Sequence, residues 1–126
     1  MNVPENCKYT DKHEWVRVEG DEAFIGITDY AQGELGDIVY IEIETAGEKL
    51  GKGETFGTIE AVKTVSDMFM PISGEVLEFN TSLEEDAEIV NKDPYGEGWL
   101  IRISIDNPSD LDELLTPEQY KELISA

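Results

Sequence analysis

The chain is a succession of short runs in which apolar and polar residues alternate, each cut off by Gly, Pro, Asn or Asp. No other feature constrains the fold as much. A side-chain period of two sends one set of residues to a buried sheet face and the other to solvent. Residues 15–18 read as a strand ended by Gly20 and Asp21. Ala23, Ile25 and Ile27 alternate with Phe24 and Gly26. In 38–44, Val39, Ile41 and Ile43 stand opposite Ile38, Tyr40, Glu42 and Glu44. Residues 55–61 and 64–70 read as two strands joined tightly around Val62 and Lys63, with Pro71 and Gly74 closing the second. Glu75, Leu77 and Phe79 alternate with Val76 and Glu78, and 99–105 form a last strand after the loop 91–98. Many short strands at regular spacing favour a barrel or sandwich over a parallel α/β sheet.

Helix signals are few. Thr28 is an N-cap candidate for a short helix over 29–32, limited by Gly33 and Gly36. Thr81 or Ser82 is placed to cap one helical turn. Thr116, Pro117 and Glu118 have the hydroxyl–proline order of a helix start, and Tyr120, Leu123 and Ile124 form a narrow apolar stripe. A C-terminal helix over about 117–125, packed outside the β core, is expected. The 126 residues fit a single domain, 1–126, and one core is feasible without disulfide or metal.

The net charge of −20, from 29 acids against 9 bases, repels phosphate backbones and anionic membranes. Nucleic-acid and membrane binding are therefore not expected. Solubility is the plainer consequence of the charge, and steering toward basic partners is compatible with it. Glu84, Glu85 and Asp86, and Asp110, Asp112 and Glu113, read as solvated faces. Cys7 is the only cysteine, which suits a reducing compartment. No N-terminal stretch resembles a signal peptide and no window is apolar enough to span a bilayer. The expected location is the cytoplasm for a bacterial chain, or the mitochondrial matrix for a eukaryotic chain with its transit peptide removed.

Most catalytic chemistries lack their parts. There is one histidine, His13, and no CxxC, HExxH or GxSxG, so a zinc centre or a serine triad has no basis. His13 and Glu14 are adjacent, and neighbours along a strand point to opposite faces. Gly47 to Lys52 is loosely like a phosphate loop, but the glycine spacing is short and Gly53 stands where Ser or Thr belongs. Turn punctuation is the better reading. Cys7 reads as an incidental thiol, and acid pairs such as Glu60 and Asp67 arise readily by chance in so acidic a chain. Lys63 stands at the tip between two strand-like runs, a rigidly based yet accessible place. Acylation there would replace an ammonium, pKa about 10.4, with a neutral mobile arm. On local pattern alone, an ordinary solubilising lysine at a turn is the preferred reading.

The wider pattern changes that balance. Glu60–Ala61–Val62–Lys63–Thr64, then Ser66–Asp67 and Pro71–Ile72–Ser73–Gly74–Glu75–Val76, resembles the lipoyl attachment segment of glycine cleavage system H proteins. Tyr9 with His13–Glu14–Trp15–Val16 is similar to that family's opening. Gly26–Ile27–Thr28–Asp29–Tyr30–Ala31–Gln32 with Leu35–Gly36–Asp37–Ile38–Val39 is similar to its second block, and the run from Asn91 to Leu100 to its third. Ordered blocks over nearly the whole chain make the resemblance specific.

The resemblance implies a mainly β barrel–sandwich hybrid of the lipoyl/biotinyl-carrier type, with short helices and a C-terminal helix. It implies lipoate in amide linkage to Lys63, attached by lipoylating enzymes that read the acid matched by Glu60. It implies three further partners. Glycine decarboxylase, a pyridoxal phosphate enzyme, loads an aminomethyl group; an aminomethyltransferase passes the one-carbon unit to tetrahydrofolate; dihydrolipoyl dehydrogenase reoxidises the dithiol. The carrier, expected as a monomer, has no catalytic residues and no metal. In the family, acids near the arm hold the aminomethyl cation, and Glu14 and Asp67 occupy the matching positions; plain surface acidity is the competing reading for both.

Two departures stand out. Lys12 replaces a small hydroxyl residue and would repel the cation, and Ala61–Val62–Lys63–Thr64 replaces the commoner Ser–Val–Lys–Ala. Among rivals, a biotin carboxyl carrier usually sets its lysine between two methionines, whereas Met68 and Met70 lie further on here. A lipoyl domain of a 2-oxoacid dehydrogenase commonly shows Asp–Lys–Ala and long Ala/Pro linkers, which are absent. An H-like protein that donates or relays lipoyl groups to other enzymes keeps the fold and changes the job. An enzyme using Glu14, His13 or Cys7 has the least support.

Overall fold

The computed structural model describes residues 2–125. The strands are β1 (Lys8–Tyr9), β2 (Glu14–Glu19), β3 (Glu22–Ile27), β4 (Ile38–Glu42), β5 (Lys49–Leu50), β6 (Thr55–Ala61), β7 (Val65–Phe69), β8 (Gly74–Phe79) and β9 (Ile101–Ser104). Four short helices punctuate them: α1 (Asp29–Leu35), α2 (Ser82–Glu85), α3 (Ile89–Lys92) and α4 (Pro117–Ser125), with a 3-10 turn at Pro108–Glu113. All strand pairings are antiparallel. One sheet runs β1-β2-β3-β9-β8-β5 and the other β4-β6-β7. Their inward residues, among them Ile25, Ile41, Phe56, Ile59, Met68, Val76 and Ile103, merge into one buried cluster. The alternation points to a barrel or sandwich, and the fold found is mainly β, with two antiparallel sheets, short helices and a C-terminal helix. No helix among the described residues is long and apolar enough to cross a membrane.

Where the alternation misleads, a bulge is responsible. The pairing of β4 with β6 shifts between Ile38 and Tyr40. Ile38 and Ile41 are therefore both buried while Val39 and Tyr40 face solvent, which a strict period of two forbids. An extra residue on one strand re-aims everything beyond it. The two-residue strands β1 and β5 and the single turn α3 are too short to carry a period, and nothing in the sequence pattern marks them. Helix α1 runs past Gly33, which the sequence suggests as a limit. A glycine inside a helix costs only about 1 kcal/mol, and the stop is Gly36, at φ +80°. Thr28 does cap it, accepting from Ala31 N at 3.2 Å.

The Thr81–Ser82 turn forms, but neither hydroxyl caps it; Asn80 Oδ1 accepts from Ser82 N at 3.3 Å instead. Asp110 is buried rather than solvated, and accepts from Ser73 N at 3.0 Å. Helix α4 starts as a capping box, in which Gln119 N donates to Thr116 Oγ1 and Thr116 N donates to Gln119 Oε1. Its stripe is narrower than expected, with Tyr120 fully buried and Leu123 exposed. Tyr120 stacks on Tyr9 at 4.7 Å between ring centroids and shares a second small core with Cys7 and Trp15. The helix thus clamps the outer face of β1–β2. Gly26 is obligatory beneath it, because a Cβ there would lie 2.5 Å from the Trp15 ring.

Candidate functional site

The β6–β7 hairpin carries Lys63. Ala61 N donates to Thr64 O at 2.8 Å and closes the reversal, while Val62 N donates to Asp37 O at 3.0 Å and ties the tip to the α1–β4 connection. The turn is thus held on both sides, and Val62, Lys63 and Thr64 are all exposed. The lysine stem lies across Gly36: a Cβ on that glycine would stand 3.4 Å from Lys63 Cε. No ion pair restrains the ammonium among the described residues.

Below the tip lies a cavity of about 250 Å³. Its apolar lining is Ile27, Ala31, Leu35, Ile59 and Met68; its polar lining is Lys12, His13, Glu14, Tyr30, Glu34, Ser66 and Asp67. Ile59 and Ser66 pair directly across the hairpin, two positions down each strand from Ala61 and Thr64. At about 3.3 Å per residue the cavity begins roughly 7 Å from the tip, within reach of an arm rooted on Lys63. Glu14 and Asp67 are brought together as lining residues. Glu60 is not; it projects from the outer face of β6, opposite Tyr40 and Val65.

Glu14 is not a surface acid. It is 3% exposed. Its Oε1 accepts from Thr10 Oγ1 at 2.6 Å and its Oε2 from Phe69 N at 3.3 Å. Burial pushes its pKa up to about 7, against the pull of those two bonds and of the Lys12 charge. At neutral pH the cavity therefore holds a carboxyl on the edge of ionisation. Asp67 is exposed on the edge strand β7 and borders the opening.

The expectation that His13 and Glu14 point to opposite faces fails. His13 has φ +70° and sits in the turn before β2, so strand geometry does not govern it and both side chains line the cavity. His13 Nδ1 lies 2.8 Å from Tyr120 Oη, which is itself 2.7 Å from Thr28 Oγ1. Burial lowers the imidazole pKa, opposed by Asp11 and Glu34. Lys12 also lines the cavity, with its Nζ 5.2 Å from the centroid of the Phe69 ring. Sequence reasoning misses Tyr30 and Glu34 as lining residues. They are one helical turn apart, the spacing of a common face, but a helix stopped at Gln32 leaves Glu34 outside it.

Comparison with known proteins decides the family. Residues 7–126 match the family described as glycine cleavage H-protein. The chain belongs to that family. Its known function is to carry a lipoyl group in glycine cleavage. The H protein of Bacteroides fragilis is 61% identical over 126 residues, covering 100% of both chains. That of Chlorobium limicola is 55% identical over 126 residues, with 98% of each covered. The crystal structure of a glycine cleavage system H protein from Mycobacterium marinum superimposes with a TM-score of 0.90 at 35% identity, covering 98% of this chain and 100% of that one. These relatives bear the name of a carrier component, and the family is lipoate-bearing.

Proposed function

We propose that this single-domain chain is the non-catalytic lipoyl carrier of a bacterial, cytoplasmic glycine cleavage system, modified on Lys63. The observation that carries the reading is the placement of that lysine, exposed at the tip of a hairpin whose backbone is hydrogen-bonded on both sides. A lipoylating enzyme reads Glu60 and closes over the tip. Lys63 gives up its ammonium proton, Nζ forms an amide with the carbonyl carbon of an activated lipoyl donor, and the activating group leaves with its bonding pair. The attached group supplies a dithiolane able to accept the aminomethyl unit and two electrons. The partners are glycine decarboxylase, the aminomethyltransferase and dihydrolipoyl dehydrogenase.

The chain's own residues hold the cargo between partners. Tethering replaces free diffusion by a high local concentration. The cavity's apolar side shelters the arm; Glu14 faces the cationic amine from within, and Asp67, on the outer face of β7, meets it at the opening. Partial desolvation strengthens the Glu14 contact beyond the ~0–1 kcal/mol of an exposed pair, and Lys12 opposes it. The rival biotin carrier and the lipoyl-relay protein keep the same hairpin, and no feature of the cavity favours either.

Intact-mass measurement after expression with a lipoylating enzyme tests the reading. One lipoyl amide is expected in the wild type and none in Lys63→Ala. A biotinyl adduct, or a lipoyl group retained by Lys63→Ala, refutes it.

A further inference from the structure

Four of the six exposed large apolar side chains among the described residues gather at one end of the three-stranded sheet: Val62 at 74%, Val65 at 63%, Tyr40 at 54% and Val39 at 52% exposure. Strand register explains the grouping. Tyr40 pairs with Glu60 and Glu60 with Val65, so the three side chains form one row across the outer face of β4-β6-β7, immediately below the Lys63 tip. Directly opposed residues share a face at about 5 Å spacing. The next row runs Glu42, Thr58, Asp67. An apolar strip is thus flanked by carboxylates, and none of Glu42, Glu60 or Asp67 is in an ion pair among the described residues. These side chains stay open to solvent, and Tyr40 and Glu42 also border a groove shared with Phe79 of β8 and Glu84 of α2.

We infer that the Tyr40–Glu60–Val65 row, with Val62, is the docking surface for the enzyme that acylates Lys63, and that this enzyme meets it with an apolar recess rimmed by Lys or Arg. The inference rests on the proposed modification of Lys63 and adds the surface that delivers it. Geometry selects the occupant. An acyl-transferring enzyme must bring a carbonyl carbon to Nζ itself, so it has to cover the strand ends beside the lysine. Partners that act on the dithiolane work at the far end of the arm and need not touch them. Charge selects the chemistry: the flanking carboxylates and the net charge of −20 favour a cationic rim. Glu60 supplies a polar contact within the strip, and Tyr40 is the type of residue that dominates interface energetics.

The test uses the unmodified full-length chain, an ATP-dependent lipoate ligase and lipoic acid, with calorimetry for ligase binding and mass spectrometry for acylation. Tyr40→Ser with Val65→Thr is expected to raise both Kd and KM about ten-fold or more while kcat at saturation holds. Val62→Ser is expected to act in the same direction. Val18→Thr, an exposed apolar residue on β2 of the other sheet, is expected to leave both unchanged. Raising salt should weaken wild type more than Glu42→Gln with Glu60→Gln. Thermal melts confirm that each variant is folded. A folded Tyr40→Ser/Val65→Thr chain with wild-type Kd and KM overturns the docking surface, as does an equal loss in Val18→Thr. A wild type that gains no acyl group at Lys63 instead overturns the reading beneath it.

Discussion

The carboxyl of Glu14 makes the stability of the unmodified chain depend on pH in a calculable way. An ordinary glutamate titrates near 4.5, and burial moves this one to about 7. Below the lower value both folded and unfolded chains hold the proton, and Glu14 contributes no slope. Between the two, the unfolded chain releases the proton and the folded chain keeps it, so stability falls as pH rises. Above the upper value the loss is complete, on the order of 3 kcal/mol. Glu14→Gln removes the ionisation. The substituted amide still accepts through its one oxygen, so about 1 kcal/mol of hydrogen bonding to Thr10 or Phe69 is lost at every pH. The variant is therefore expected to be slightly less stable than wild type near pH 4.5 and more stable, by on the order of 2 kcal/mol, at pH 8. Urea unfolding followed by tryptophan fluorescence reads both curves, because Trp15 is fully buried. The other carboxylates are common to the two proteins and cancel in the difference. A gap between them that stays constant from about pH 4.5 to 8 refutes the reasoning.

Two further outcomes follow from the same geometry. Glu14→Gln with Asp67→Asn is expected to speed ammonia loss from the aminomethyl-loaded carrier, measured as a first-order release rate; equal rates would remove their protective role. Gly26→Ala places a methyl against the Trp15 ring, an overpacking that costs about 1–3 kcal/mol, visible as a lower Tm with Lys63 acylation retained in the folded fraction.

Much of this architecture is legible in the sequence for a plain reason: where a strand is half buried, a period of two is the direct image of its two faces. Strands β3 and β9 can be drawn from their apolar residues alone. Legibility ends where a residue's fate depends on a distant backbone group. Asp110 reads as a solvated acid, and surface acidity competes as the reading of Glu14, because the amides that donate to them belong to Ser73 and Phe69, far along the chain. His13 reads onto the wrong face because its left-handed backbone is fixed by a turn, in which its N–H donates to Thr10 O and its carbonyl accepts from Thr28 N. Lys63 is the opposite case. Its local pattern favours a bland lysine, and only the ordered blocks around it point to modification. A single accessible amine carries no local periodicity or partner by which a sequence could announce it.

One register serves both of the jobs proposed for the hairpin. The outer row Tyr40–Glu60–Val65 and the inward pair Ile59–Ser66 are adjacent steps of the same strands, so a slip of one residue would bury Glu60 and turn the cavity wall to solvent. Three hydrogen bonds outside the ladder resist such a slip. Val62 N to Asp37 O holds the tip, Gly53 N to Met70 O holds the far end, and Phe69 N to Glu14 Oε2 ties β7 to the other sheet. The last of these makes the cavity's acid a part of the frame that positions the lysine. A cation entering beside Glu14 draws the carboxylate into its ionised form, a stronger acceptor for Phe69 N. Loading the cavity should therefore tighten the hairpin rather than loosen it, and amide exchange at Phe69 should slow when the cargo is bound and stay unchanged in Glu14→Gln.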